Sequence, residues 1–294
     1  MQKKSSGFSL IELSIVILII GILIAGITSA SRLTLQMKLA SAKTQTQSAP
    51  VSSIKNLTLW IEPTIEGGVT STTNSTPPED GDKVSSWNDY NPQITIKTNP
   101  SQSTDASRPL YKTNIINGLP AIQFDGSNDY LSISNAISQD FSFFAVIKTS
   151  VAGNTGQAYA GKAIFTSEVG GVTDDSIALA IGGGYAKTFT GNPDSTLTGT
   201  VTISDNYAHV ICTTRNSTSG ARNIYVDGTA DGNDTGRTGV LTANANTTIA
   251  ADLVSGNYYS GYIAELIVFD RVLKTEERQA IEKYLGKKWG VRVS

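Results

Sequence analysis

Nineteen consecutive residues without a charge, Leu13 to Ser31, follow directly on an acid, Glu12, close to the start of the chain. As a helix, a run of this length spans the hydrocarbon core of a bilayer, roughly 30 Å. The chain must therefore put this segment into a membrane or into an apolar assembly. Ile, Leu and Val dominate it, and Gly21 and Gly26 interrupt it, which membrane helices tolerate. The run is longer than the apolar region of a secretory signal, about 7–15 residues. A plain anchor would have no use for Glu12, because an acid inside a membrane helix costs about 2.5–3.5 kcal/mol on insertion scales.

Ahead of that acid the chain reads Gly7-Phe8-Ser9-Leu10-Ile11-Glu12-Leu13, after a leader holding Lys3 and Lys4. This segment resembles the processing site of type IV prepilins and of type II secretion pseudopilins, and Ile15 to Leu23 continues the resemblance. It implies that a prepilin peptidase cuts after Gly7 and methylates the new terminus at Phe8. Glu12 is then the fifth mature residue. The cut removes Lys3 and Lys4 and takes the net charge from -2 to -4. Within one helix the Phe8 amine and the Glu12 carboxylate point in different directions. Between staggered helices, Glu12 of one subunit can meet the Phe8 amine of another, and a buried pair of that kind specifies register. The implied partners are the peptidase, the inner membrane and further pilin or pseudopilin subunits. The implied location is single-pass in the bacterial inner membrane, then an extracellular pilus or periplasmic pseudopilus. Lys3 and Lys4 fit the positive-inside trend, but Arg32, Lys38 and Lys43 oppose it, so orientation rests on the resemblance.

No Pro occurs before Pro50, so the spacing predicts one helix from Phe8 to about Gln47. Leu33, Met37 and Ala40 form one stripe beyond the membrane span and Leu35 and Leu39 a second, expected to pack on the downstream domain. The expected organisation is a leader over 1–7, a pilin-type helix over 8–49 with its membrane span over 13–31, a linker over 50–54 and a β-sandwich over 55–294.

Short alternating stretches separated by Gly, Asn, Asp, Ser and Thr clusters fill that last region, the pattern of a sandwich. Phe141, Phe143, Ala145 and Ile147 alternate with Ser142, Phe144, Val146 and Lys148 in one strand. Residues 209–214 and 223–226 read as two more around the hairpin loop 216–220, and Tyr258 to Phe269 reads as one long apolar strand. Thr275 is positioned to cap a final helix with Glu276 and Glu277 in its first turn and Lys287 and Lys288 in its last, matching the helix dipole. Several pieces in order resemble laminin-G-like, concanavalin A-like jelly rolls: Leu59-Trp60-Ile61, the stretches 80–89 and 118–126, Asp129-Tyr130-Leu131, Ile224-Tyr225-Val226-Asp227-Gly228 and 261–271. The fold class is thus mainly β: a long N-terminal transmembrane pilin helix, then a jelly-roll sandwich with a short C-terminal helix. One departure from the resemblance is Tyr90-Asn91-Pro92, where relatives carry a different turn.

Charged residues make up 16% of the chain, too few for a highly charged disordered protein, and the net charge of -2 lacks the basic footprint of a nucleic-acid binder. One Cys and one His exclude an intrachain disulfide, Cys-rich metal sites and most His-dependent catalysis. The acidic strand motif of laminarinase-type hydrolases is absent. Glu265 stands alone on its strand, with Arg271 as its expected partner, so no enzyme is expected. His209 reads as a structural hydrogen bond at a strand end and Cys212 as a small buried residue. Calcium is the one cofactor the loops suggest, with Asp125 and Asp129 in one loop and Asp174 and Asp175 in another, though Asp is also an ordinary turn residue. Tyr90, Tyr159, Tyr185, Tyr258 and Tyr259 lie near expected loops, where rings could stack on surface glycans. The sequence thus describes a pilin-like filament subunit, minor or at the tip, presenting a lectin-like domain for adhesion. Two alternatives stay open: a type II secretion pseudopilin that contacts cargo, and a membrane-tethered glycan-active enzyme.

Overall fold

The computed structural model describes residues 10–73, 78–134, 136–137, 139–171, 173–243 and 246–294. Helix α1 (Leu10–Gln47) runs unbroken for 38 residues, about 57 Å at the usual rise. Pro50–Ser53 forms a 3-10 turn after it. The strands come in chain order: β1 (Leu57–Ile61), β2 (Val69–Ser71), β3 (Val84–Trp87), β4 (Leu110–Ile116), β5 (Leu119–Asp125), β6 (Leu131–Ile133), β7 (Phe141–Lys148), β8 (Lys162–Thr166), β9 (Ser176–Gly182), β10 (Tyr185–Thr190), β11 (Ser195–Thr202), β12 (Ala208–Arg215), β13 (Ala221–Val226), β14 (Thr229–Thr235), β15 (Thr247–Ile249), β16 (Ala251–Asp252), β17 (Asn257–Tyr258) and β18 (Ser260–Phe269). Helix α2 (Thr275–Trp289) closes the chain.

Two antiparallel sheets face each other. One has eight strands in the order β14-β13-β12-β7-β18-β5-β4, with β1 also paired to β18; the other has six, β11-β10-β9-β8-β15-β6. β18 is long enough to pair β5 through residues 260–263 and β1 through residues 266–269 along one edge, with β7 along the other. The first and last strands of the sandwich are thereby neighbours. This is the jelly-roll sandwich that the alternating pattern implies.

The central strands of the larger sheet, β7, β12 and most of β18, are buried on both faces. Phe143, Ala145 and Ile147 of β7 point into the inter-sheet core with Phe165, Leu179, Ile211 and Leu266. Phe144 and Val146 point outward, against Trp60, Cys212, Ile267, Phe269, Ile281, Leu285 and Trp289. That second layer exists because α2 and the end of α1 lie across the outer face. It explains why the alternation in β7 is between two apolar sets rather than between apolar and polar ones. Cys212 is buried in this layer, as its sequence context suggests, and burial pushes its thiol well above the ordinary value.

Local chemistry fixes the connections. Asn117 and Gly118 join β4 to β5 with φ of 52° and 77°, the left-handed pair that a two-residue hairpin turn requires. The expected single strand over 258–269 is instead broken at Tyr259. This ring turns into the core, and its hydroxyl reaches the carbonyls of Lys148 and Tyr262, each at 3.2 Å. Thr275 is the first residue of α2 rather than its cap; the Lys274 N–H donates to Glu277 Oε2 at 2.9 Å there. Gly290, at φ 70°, ends the helix in a left-handed turn.

Phe143 meets Phe165 with ring centroids 4.9 Å apart at the middle of the inter-sheet core. Phe143→Ala should cost about 3–5 kcal/mol of unfolding free energy in denaturant titration. A loss below about 1 kcal/mol would mean that the two sheets do not share this core.

Candidate functional site

Two regions carry the residues that bear on function: the N-terminal helix with its seat on the sandwich, and the rims of the sandwich. Gly7 and Phe8 lie outside the described residues. Glu12 stands in the first turn of α1 and is exposed, as are the large apolar residues from Leu10 to Ile27. Among the described residues α1 is the one helix long and apolar enough to cross a membrane, and none of its apolar window is buried in the protein.

Of the two expected stripes only Leu39 takes part in the seat of α1, and Leu35 and Ala40 stay exposed. Leu39 and Lys43 are half-buried, and Ala42 and Thr46 are fully buried against the sandwich. Leu33 and Met37, on the other stripe, stay exposed. Lys38 donates to the Asn117 carbonyl at 3.1 Å. A Cβ on Gly118 would meet only the flexible end of Lys38, at 2.9 Å, so it is the left-handed backbone, φ 77°, that calls for glycine there. At the foot of the helix, Thr46 Oγ1 accepts from the Lys288 ammonium at 2.8 Å and lies 3.2 Å from the Tyr284 hydroxyl. Lys288 is also bound to Glu265, at 2.9 Å, and to Glu62, at 3.2 Å, with all three side chains excluded from solvent.

The expected pairing of Glu265 with Arg271 is not formed. Arg271 lies past the end of β18, next to the first turn of α2, and forks onto Glu277 at 2.7 and 2.8 Å. Glu265 sits mid-strand on the face that α2 covers. There it accepts from Trp60 Nε1, Trp289 Nε1 and the Tyr284 hydroxyl as well as from Lys288. Lys288 is correspondingly a buried ion-pair partner rather than an exposed last-turn cation; Lys287 is the exposed one.

Each of the loop acids takes donors from the protein itself. Asp125 Oδ1 accepts from the backbone of Ser127, Asn128 and Asp129, and Asp129 Oδ2 accepts from the Asp125 N–H. Burial, and then the neighbouring Asp125, lift the Asp129 carboxyl to about 6. Asp174 accepts from Arg237, Asn192 and Thr242, and Asp175 from the Val169 N–H and the Thr173 hydroxyl. Among the described residues no three His, Cys, Asp or Glu side chains gather as a metal-holding group.

The five tyrosines do not form one face. Tyr259 is buried, Tyr90 packs edge-on against Trp60 and Tyr159 against Phe189, while Tyr185 and Tyr258 are half-buried. Among the described residues the ring most open to solvent is one the sequence does not single out, Tyr207, at 71% exposure. It flanks a groove of about 460 Å³ beside the start of β12, together with Lys148, Asp205, His209, Asp227 and Arg292. His209 is clamped by Asp227 at 2.8 Å and Asp205 at 3.1 Å, the structural role expected of it. Burial lowers the affinity of its ring for a proton, but the two carboxylates outweigh burial and hold its pKa above the ordinary value. An exposed ring beside fixed polar groups is the kind of surface that stacks on and hydrogen-bonds a polar ring. Tyr207 leaves no signal in the sequence, because a single aromatic residue in a polar loop has no periodicity.

On the other rim, Glu168 and Asp252 are brought together, each with a buried carboxylate oxygen that has no hydrogen-bond partner. Burial, and then Asp252, Asp175 and Asp194, push the Glu168 carboxyl from 4.5 up to about 8. A raised acid binds its proton more tightly folded than unfolded, so it stabilises the fold at low pH and loses that contribution as pH rises from 4.5 to about 8. Glu168→Gln should therefore raise the melting temperature relative to wild type above about pH 8 and change it little below about pH 5. An equal shift at both ends would contradict this ordering.

Comparisons with known proteins fit this architecture. A family model described as the concanavalin A-like lectin/glucanases superfamily matches residues 125–277, just over half of the chain. A second, the prokaryotic N-terminal methylation motif, matches residues 2–28. No curated protein matches. Among solved structures, the binding domain of paraclostridial mosquitocidal protein 1 is similar at 12% identity and a TM-score of 0.52, covering 80% of this chain and 55% of that one. A botulinum neurotoxin serotype D ligand binding domain, solved with N-acetylneuraminic acid, is similar at 14% identity and a TM-score of 0.50, covering 82% of this chain and 56% of that one. The chain thus spans about half the length of these toxin domains, and at such identities the likeness is one of fold.

Proposed function

The chain belongs to the concanavalin A-like lectin/glucanases superfamily, and from that premise, joined to the methylation motif at its start, we propose that it is a type IV pilin-like filament subunit that presents a lectin-fold domain for adhesion. In this reading a prepilin peptidase cuts after Gly7 and methylates Phe8. The helix holds the precursor in the inner membrane and later packs into a filament. A domain of some 240 residues per subunit would crowd a tight helical lattice, which favours a minor or tip position.

One observation carries the proposal: a 38-residue helix whose apolar half is wholly exposed while its foot is seated in the sandwich. An apolar surface of that extent needs a bilayer or neighbouring helices around it. Glu12 supplies register. Its charge, costly in an apolar setting, is met by the methylated amine of an adjacent subunit at Phe8. The Tyr207 groove, open to solvent on the sandwich, is the surface we assign to a glycan.

Two measurements test the two halves. Glu12→Ala should leave membrane insertion intact and sharply reduce recovery of the protein in sheared filaments; undiminished recovery would remove Glu12 from assembly. On a glycan array, the detergent-solubilised chain should bind, and Tyr207→Ala should weaken that binding by up to about tenfold, as loss of one stacking contact of roughly 0.5–1.5 kcal/mol implies. Equal binding by both proteins would place the glycan elsewhere, and no binding by either would make the domain a spacer.

A further inference from the structure

Lys288 and its two carboxylates form a cluster closed off from solvent. The Lys288 Nζ stands 3.2 Å from Glu62 Oε2 and 2.9 Å from Glu265 Oε2, and none of the three side chains reaches solvent. Trp60, Trp289 and Tyr284 wall the site. The two acids are not equivalent. Each oxygen of Glu265 has two donors: Trp60 Nε1 at 2.7 Å and the Tyr284 hydroxyl at 2.8 Å on Oε1, Trp289 Nε1 at 2.7 Å and Lys288 on Oε2. That full set of donors fixes Glu265 in position. Glu62 takes the Thr64 N–H at 2.5 Å and Lys288 on Oε2, but its Oε1 is buried with no hydrogen-bond partner. An acceptor left so is costly in a site without water.

We propose that Lys288 and Glu62 condense to an isopeptide bond, with Glu265 as the proton carrier. The ammonium of Lys288 gives one proton to Glu265. The lone pair this frees on Nζ attacks the Glu62 carboxyl carbon, and the C–N bond forms. Glu265 passes its proton to a departing Glu62 oxygen, the nitrogen loses its second proton to the same oxygen, and the C–O bond breaks as one water leaves. Glu265 ends as the carboxylate it began as. Nothing is oxidised or reduced, so no co-reactant is needed.

Three features favour the step. The Lys288 nitrogen is already in contact with the carboxyl group it would attack, 3.2 Å from Glu62 Oε2, with no diffusion or solvent between them. Condensation removes one buried cation and one buried anion, which are expensive to hold out of water. The amide formed keeps one N–H, which can still donate to Glu265 Oε2. The bond would tie the residue after β1 to the last turn of α2, at the point where α1 delivers Thr46. It would thus close the sandwich covalently where a pull on the helix enters the domain. The chemistry does not depend on the adhesive reading.

The test is the mass of the intact, denatured full-length chain, purified in detergent, with its N-terminus mapped in parallel. The result expected is a mass lower by one water than the sequence requires, with a branched peptide joining the segment around Glu62 to that around Lys288 after proteolysis. The linear mass, with both segments released separately, would overturn the proposal. Lys288→Arg should show the linear mass. Glu62→Gln should still link, but with loss of ammonia; loss of water in that variant would assign the bond to Glu265 instead. Glu265→Gln should accumulate the unlinked chain, and linking at the wild-type rate would remove Glu265 from the step.

Discussion

The solvent-excluded contact of Lys288 with Glu62 and Glu265, which brings the ammonium between two carboxylates before any bond is formed, is the interaction on which the arrangement of this protein depends. Buried ion pairs add little net stability, because desolvation offsets their attraction, but removing one partner is severe. Their value is in specifying one arrangement. Here the three charged groups come from the end of β1, the middle of β18 and the last turn of α2, and Thr46 joins them from α1. Four distant parts of the chain are held to a single register. A merely apolar contact between a helix and a sheet could slide; this one cannot without stranding a charge.

The consequence for function is geometric. The outer face of the larger sheet is covered by α2 and the foot of α1, so that face is not available to a ligand. Among the surfaces the sandwich leaves open are parts of its rims: the groove at Tyr207 beside the start of β12, and the loops around Glu168 and Asp252. The same cover ties the direction of the exposed apolar helix to that of the sandwich. A filament built from α1 would therefore carry its lectin-fold domains at a set angle rather than on a loose tether.

The fold is legible in the sequence where its determinants are local. The uncharged run, Glu12 and the glycine ahead of them occur within a few residues of one another. The two apolar sets of β7, the hairpin loop over 216–220 and the acid-first, base-last pattern of α2 are likewise local signals, and each corresponds to an element of the structure. Long-range or solitary determinants are not legible. Sequence proximity offers Glu265 the cation at Arg271, six positions away, whereas its partner Lys288 lies across a helix packing that no periodicity encodes. Lys288 itself has the sequence context of a solvated last-turn cation. Tyr259 has the context of a loop ring, because the break before β18 depends on its burial. Tyr207 leaves no pattern, because exposure of a single ring in a polar loop has none.

The central claim, that α1 is locked to the sandwich through Lys288, is tested most directly by hydrogen exchange on the intact chain in detergent. Amides at the foot of α1, over 42–47, should exchange as slowly as those of α2, and both should lose protection together in Lys288→Met. Fast exchange over 42–47 in the wild-type chain, with α2 still protected, would show that the helix is merely tethered.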